Sequence, residues 1–399
     1  MLATRIAIIS CVFPPEPVVS AEISYSLVEK LSMQHKVKLL CPLPSRPNGF
    51  FFAKEYIIKF NYSNNVDFNR ARSFVCSQSN PFGRLIESIS FGIYSYKFIK
   101  KEKANIDRVY MNTWPLFGQL GVALACKKFQ IKFIVHVQDI YPESLANKLP
   151  DFWAVFLLKF LMPIEKYVMR NAFKIVVISD YMKAMILSRG EIDEVKISLV
   201  NNWQDENIFD KECYHLNDNE RLTFMYLGNV GPVANIPFVI HSFYEANINA
   251  ILIIAGSGSK RKYCEDLVNY LGIDTIQFLD VPAGEVPKTQ SKADILILPT
   301  IRNGARSSIP SKLPAYMFSK KPIFALIDKH TDTYNAIIDA KCGWVVNPEA
   351  KNQIIEKFKE LVSMNKSELT RMGLNGYNYA KEHFSKAKNL DRLTSIVLD

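Results

Sequence analysis

No run of apolar residues in this chain approaches the roughly 18 that a membrane-crossing helix needs, and a run such as Trp153–Leu158 falls far short. A mean hydropathy of +0.00 likewise argues against a polytopic membrane protein. The apolar opening, Met1–Cys11, runs into Pro14 and Pro15 without a small-residue cleavage site, so it reads as a first buried strand rather than a secretory signal. The seven cysteines are odd in number and no two stand at metal-knuckle spacing. That argues against a disulfide framework or a structural zinc site and makes a reducing cytoplasm the expected compartment. The six histidines include no His-Glu-x-x-His run. Short repeats and low-complexity tracts are also missing.

What is present is ordinary in bulk. At roughly 150 residues per domain, 399 residues make two domains or three. With 48% hydrophobic and 22% charged residues the chain is a packed globular protein, not a disordered one. Lys and Arg exceed Asp and Glu by 49 to 39, a net charge of +10. Such a balance suits nucleic acid, an anionic membrane or a phosphorylated small molecule, or it serves solubility alone.

Strand-like apolar runs alternate with helical patterns. The first half carries Arg5–Cys11, Lys36–Cys41, Asp107–Met111, Lys132–Val137 and Lys174–Ile178, with a helix over Ala21–Gln34. After a polar, acidic break at Asn201–Glu220 the pattern restarts with Leu222–Gly228, Ala250–Ala255, Thr275–Leu279, Asp294–Pro299, Pro322–Leu326 and Gly343–Val346. Lys366–Leu398 reads as helix throughout. Alternation of this kind predicts parallel sheets covered on both faces: two doubly wound α/β domains and a helical tail.

Asn48–Lys103 differs, being aromatic and polar without a strand signal, and includes Gly49–Phe52. A helix over Phe91–Lys103 would set Phe91, Tyr94 and Phe98 on one side with Lys97, Lys100, Lys101 and Lys103 near its end. That pattern fits either an interfacial helix on anionic lipid or a core helix with a solvated last turn. Trp153–Met169 is a second apolar candidate with the same two readings.

Ligands bind beyond the carboxyl ends of parallel strands, so the loops there carry the chemistry. Gly228-Asn229-Val230-Gly231 and Gly256-Ser257-Gly258 each follow a strand and are either ordinary turns or phosphate cradles. The second is not a dinucleotide fingerprint, because Arg261 stands where the third glycine belongs. Leu298–Pro322 places Arg302 and Arg306 upstream of a helix that begins near Ser311, Lys312 and Leu313, a candidate diphosphate site. In the first half, His136, Asp139 and Glu143 follow the strand Lys132–Val137 and are candidates for acid/base work or sugar hydroxyls. For His136 the competing reading is a satisfied core histidine. The two carboxylates are the better candidates, since burying them without a role is costly.

Taken in order, these pieces resemble the GT-B-fold glycosyltransferases of family 4, especially bacterial capsule and O-antigen enzymes, over nearly the whole chain. Val12–Glu16 is similar to the family's first loop and His136–Ser144 to its Asp-x-x-Pro-Glu-Ser element. Val176–Ser179 and Val200–Trp203 resemble the end of its N-terminal domain, Tyr226–Asn229 its donor loop, and Ile309–Leu313 with Lys321–Ala325 its donor helix and next strand. The resemblance implies two Rossmann-like domains facing a cleft. Residues 1–203 would bind the acceptor, 204–380 the nucleotide-sugar, and helix 381–399 would cross back to the first domain. It further implies a retaining, metal-independent, hexosyltransferase-type reaction with no cofactor beyond the donor, usually a UDP-sugar. Gly228, Asn229, Gly231, Gly256, Arg302, Arg306, Ser311, Lys312 and Leu313 would hold the donor. Asp139, Glu143 and His136 would serve catalysis, and Glu16 and Ser20 the acceptor, expected to be lipid-linked or a saccharide.

The departures are specific. The family's two glutamates around the donor helix are matched here by Ser307 and Ala315, and the donor-loop arginine by Asn229; the lysine that follows it is missing near Ala234 and Asn235. Ala315 removes a charge-assisted hydrogen bond to ribose worth roughly 1.5–3 kcal/mol. The expectation is therefore a glycosyltransferase of surface-polysaccharide synthesis in the cytoplasm, peripheral on the inner membrane face. A catalytically idle binding subunit and a sugar-nucleotide epimerase are the alternatives. Nucleic acid is not an expected partner, because the lysines are dispersed and no recognised module is present.

Overall fold

The computed structural model describes residues 3–46, 64–76, 80–112, 115–146, 150–211, 221–282, 284–304 and 309–399. These divide into two compact units: Met1–Asn201 together with Leu390–Asp399, and Asn202–Asn389.

The N-terminal unit is built on seven parallel strands: β1 (Arg5–Ile9), β2 (Lys36–Cys41), β3 (Val66–Arg70), β4 (Arg108–Asn112), β5 (Lys132–Val137), β6 (Lys174–Val177) and β7 (Ile197–Leu199), in the order β3-β2-β1-β4-β5-β6-β7. Helices α1 (Val19–Ser32), α2 (Pro81–Glu102), α3 (Leu116–Phe129), α4 (Asp151–Asn171) and α5 (Asp180–Ser188) connect them. Ile6, Ala7, Ile8 and Ile9 are all buried, because a central parallel strand is covered on both faces and tolerates no polar alternation. Phe91, Val122, Val168 and Met169 from α2, α3 and α4 join one core with Ala7, Val109 and Val135 of the strands.

The second unit has six parallel strands: β8 (Leu222–Leu227), β9 (Ala250–Ala255), β10 (Ile276–Leu279), β11 (Ile295–Pro299), β12 (Ile323–Leu326) and β13 (Gly343–Val346), in the order β10-β9-β8-β11-β12-β13. Its helices include α6 (Ile236–Ala246), α7 (Arg261–Leu271), α8 (Lys312–Phe318), α9 (Asp332–Asp339), α10 (Lys351–Val362) and α11 (Lys366–His383), and α12 (Lys386–Leu398) ends the chain. Phe224, Phe243, Phe324 and Phe358 pack edge-to-face at its centre. In each unit the strand order reverses once, at β1/β4 and at β8/β11, and the crevice above such a reversal is where open α/β sheets bind ligands.

Several expectations need correction. β3 and β7 are strands that the apolar pattern did not announce; both are sheet edges, and Val66-Asp-Phe-Asn-Arg70 is only half-buried. The expected single helix over 366–398 is two helices parted at Phe384–Ser385. There Glu206 accepts from the Ser385 hydroxyl and, at 2.8 Å, from the Lys386 amide, which replaces helical partners with a tertiary one. The stripe Phe91–Tyr94–Phe98 is not one outward face. Phe91 is buried and Phe98 packs on the core, while Tyr94 is exposed. The cause is a close crossing of α2 and α3: a Cβ on Gly92 would lie 2.2 Å from the Phe117 carbonyl oxygen. Gly49–Phe52 lies outside the described residues.

Candidate active site

In the second unit, β8 ends at Leu227 and the chain turns at Gly228 with φ +149°. Gly256 (φ +117°) and Gly258 (φ +155°) follow β9 in the same way. A Cβ on Gly256 would stand 2.3 Å from the Gly228 carbonyl oxygen, and one on Gly258 2.4 Å from that of Val230. The glycines therefore let two loops interlock. The Gly228 amide donates to Ala255 O at 2.9 Å, the Val230 amide to Ser257 O at 2.8 Å and the Lys260 amide to Val230 O at 2.9 Å. Arg261 is the clamp that the missing third glycine makes room for: it donates to Gly256 O, to Leu279 O at 3.2 Å and to Asp280 at 2.7 Å. The Asn229 carbonyl accepts from the Tyr226 hydroxyl at 2.6 Å and from the Gly231 amide, two residues on, at 2.9 Å.

Lys312 opens α8 and lays its stem on this platform, so close that a Cβ on Gly228 would meet its Cε at 2.1 Å. Its ammonium stands 5.2 Å from the centre of the Tyr226 ring. No carboxylate reaches it among the described residues, and burial pulls its pKa below the ordinary lysine value. Tyr316, one turn along α8, donates to Leu227 O at 3.1 Å and accepts from Leu227 N at 3.0 Å, locking the helix to the end of β8. Leu313 and Ala315 are buried in the core beside it, and Ser311 is exposed with its carbonyl on Gln204. The loop after β11 is tied to the loop after β8 by the Ile301 amide on Val233 O at 2.8 Å. Arg302 on that loop is exposed and 3.5 Å from Glu349. Arg306 and Ser307 lie outside the described residues.

In the N-terminal unit, His136 is fully buried at the end of β5. Gln138 donates to its Nε2 at 3.0 Å, which leaves Nδ1 protonated and facing the Tyr110 hydroxyl at 2.7 Å. Burial drops its pKa to about 3, so it is a neutral ring with both nitrogens engaged. Asp139 is exposed, without a hydrogen-bond or ion-pair partner among the described residues. Glu143 is held in a fork by Arg189 at 2.7 and 2.8 Å. Arg189 also pairs with Glu165, which is 2% exposed and pushed up to about 7, chiefly by burial. Asp139, Tyr141, Glu165 and Arg189 line a concavity of about 430 Å³, partly open solvent, beyond β5. Glu16 is spent on backbone amides, accepting from Phe13 in its own loop and from Ser45 and Arg46 in the segment after β2 at 2.8–3.0 Å. The Ser20 carbonyl accepts from Asn112 at 2.7 Å.

The structure thus brings Gly228, Asn229, Gly231, Gly256 and Lys312 together, and keeps Leu313 and His136 inside. Arg189 and Glu165 were not anticipated, and neither were the hydroxyl contacts of Tyr226 and Tyr316. The Arg189–Glu143 partners are 46 residues apart and no local spacing announces them.

Comparison with known proteins agrees with this geometry. Residues 22–207 match the family "Glycosyltransferase Family 4" and residues 210–379 match "Glycosyl transferases group 1". The chain is 23% identical over 325 residues to a probable glycosyltransferase, WbjE, of Pseudomonas aeruginosa, covering 76% of this chain and 77% of the relative. Among solved structures it resembles Anabaena HepE in complex with UDP (TM-score 0.70, 12% identity, 98% of this chain and 99% of that one). It also resembles sucrose-phosphate synthase from Thermosynechococcus elongatus (TM-score 0.71, 13% identity, 98% of each chain). The chain belongs to the GT-B-fold glycosyltransferases of family 4.

Proposed function

We propose that this glycosyltransferase takes a sugar from a UDP-linked donor bound by the second unit and passes it, with retention and without a metal ion, to a lipid-linked or saccharide acceptor of surface-polysaccharide synthesis. The observation that carries the proposal is Lys312: a half-buried cation without a counter-ion among the described residues, resting on the glycine platform at a topological switch point. A donor diphosphate supplies the missing anion. As the sugar–phosphate bond breaks, negative charge grows on the leaving diphosphate, and a fixed ammonium stabilises that charge without reorganising. Amides of the Gly228–Gly231 and Gly256–Gly258 loops are the additional donors. Asp139 is the exposed carboxylate assigned to the acceptor side; Arg189, which holds Glu143, lines the concavity beside it. HepE, whose structure contains UDP, is consistent with this class of donor.

The test is thermal unfolding with UDP, GDP, CMP and TDP. Selective stabilisation by UDP that is lost in Lys312→Met supports the reading; stabilisation by none of them removes its basis. A second reading, an idle binding subunit, is favoured by Ala315, which fills the position of a donor-binding glutamate with a buried methyl group. UDP binding without glycosyl transfer to any acceptor would select it.

A further inference from the structure

We propose that the N-terminal unit docks on an anionic lipid bilayer through the outward faces of α2 and the first half of α4. This goes beyond the donor reading above and does not depend on it.

The starting observation is an accumulation of exposed large apolar side chains. On α4, Phe152 is 77% exposed and Phe156 and Phe160 are each 63% exposed, with Trp153 and Val155 beside them. Single exposed apolar residues are routine on soluble proteins, but a contiguous aromatic group marks an interaction surface. Further along the same helix Leu161, Val168 and Met169 are buried, so α4 is anchored by its second half and projects its first. On α2, Phe82, Leu85, Ile86, Ile89 and Ile93 are exposed at helical spacing, forming one stripe.

The two surfaces belong to one face of the unit. α3 packs against both helices, and all three feed the same core cluster on one side of the sheet. α2 and α4 lead into the parallel strands β4 and β6, so the apolar beginnings of both helices lie toward the sheet's carboxyl edge, the edge that carries Asp139.

Exposed charge along these helices is mainly basic; Glu102, at the end of α2, is largely covered and pairs with Lys38 and Lys101. Lys97, Lys100 and Lys101 are exposed and continue α2 past its apolar stripe, Lys159 stands between Phe156 and Phe160, and Lys127 and Lys128 end α3. The only acidic residue from Phe82 to Lys101 is Glu87, buried against Arg84, and there is none from Phe152 to Phe160. Aromatic rings with interleaved ammonium groups match the boundary between acyl chains and anionic headgroups. A second copy of the chain is a poorer occupant, because it brings the same lysines and no compensating carboxylates. Among the described residues no helix is long and apolar enough to cross a membrane, so the contact is with the surface.

The test is flotation of the full chain with vesicles of phosphatidylcholine plus phosphatidylglycerol, and with phosphatidylcholine alone. The expected result is flotation with the anionic vesicles at low salt and release as salt rises. Phe156→Glu/Phe160→Glu should weaken partitioning by about tenfold or more, and Lys97→Glu/Lys100→Glu/Lys101→Glu should flatten the salt dependence. Trp153 emission should shift to the blue on binding, a component that Trp153→Phe removes. Circular dichroism checks that these surface variants stay folded. The proposal is overturned by no flotation on anionic vesicles at low salt, by equal binding to neutral vesicles, or by undiminished binding of Phe156→Glu/Phe160→Glu. It is equally overturned by a dimer that this variant dissociates while vesicles bind neither form.

Discussion

Replacing Lys312 by methionine keeps the stem on Gly228 and the contact with Tyr226 but removes the charge. Two opposite effects follow. Without a ligand the ammonium is a cost to the fold, since burial lowers its pKa and no carboxylate among the described residues offsets it. Because the folded pKa lies below the unfolded one, the unfolded state binds more protons in the interval between them, and stability of the free protein rises with pH there. Lys312→Met should therefore leave the free protein as stable as the wild type or slightly more so, and should abolish that alkaline rise. With donor bound the sign reverses. A unit charge about 4 Å from a phosphate oxygen at an effective dielectric constant near 20 is worth about 4 kcal/mol before desolvation. Loss of one preorganised charge-stabilising donor typically costs about 3–4 kcal/mol in the transition state. A loss of roughly 3 kcal/mol lowers kcat/KM about a hundredfold. If ground-state binding weakens equally, UDP at a hundred times the wild-type dissociation constant, which stabilises the wild type by about 2.7 kcal/mol, would stabilise the variant by only about 0.4 kcal/mol. Scanning fluorimetry with and without UDP, paired with turnover of donor, reads both numbers. Full UDP stabilisation and unchanged turnover in Lys312→Met would refute the diphosphate assignment.

Gly256→Ala forces a methyl group to 2.3 Å from a backbone oxygen at φ +117°, so it should cost about 2–4 kcal/mol in chemical denaturation and weaken UDP binding. Glu165 has a folded pKa raised from 4.5 to about 7, so the native state binds the extra proton and stability falls as pH rises through that interval. Glu165→Gln should remove roughly 1–3 kcal/mol of that pH dependence; an unchanged stability–pH curve contradicts the burial argument. His136→Asn orphans the Tyr110 hydroxyl and should cost about 1–3 kcal/mol of stability while leaving the pH profile of turnover unmoved, because the ring is already neutral. Asp139→Asn should do the reverse: unchanged melting, and turnover lower by about a hundredfold.

How much was legible depended on where each element lies. Ala250–Ala255 and Lys132–Val137 could be bounded from the chain alone, because an interior parallel strand is buried on both faces and must be apolar almost without interruption. Val66–Arg70 and Ile197–Leu199 could not, because an edge strand is paired on one side only and its composition is free to be polar. Phe91 points inward through a glycine crossing with α3, a partner that no periodicity within α2 encodes. The parting of α11 from α12 at Ser385 contains neither glycine nor proline; Glu206 decides it from a distant part of the chain.

The order and spacing of local signals — apolar runs, the loop glycines, the Lys312 segment — were enough by themselves to determine the family and the doubly wound architecture, since each reports a backbone requirement met within a few residues. Which side chains are chemically available was a tertiary decision. His136 and Asp139 stand three residues apart on one strand end, yet one is sealed and neutral and the other is open to solvent. Lys312 was a candidate anion site from its place near a helix start, but only folding laid it on Gly228 with no carboxylate in reach among the described residues. Burial and the positions of distant charges set protonation and accessibility, and both arise from contacts between segments far apart in the chain.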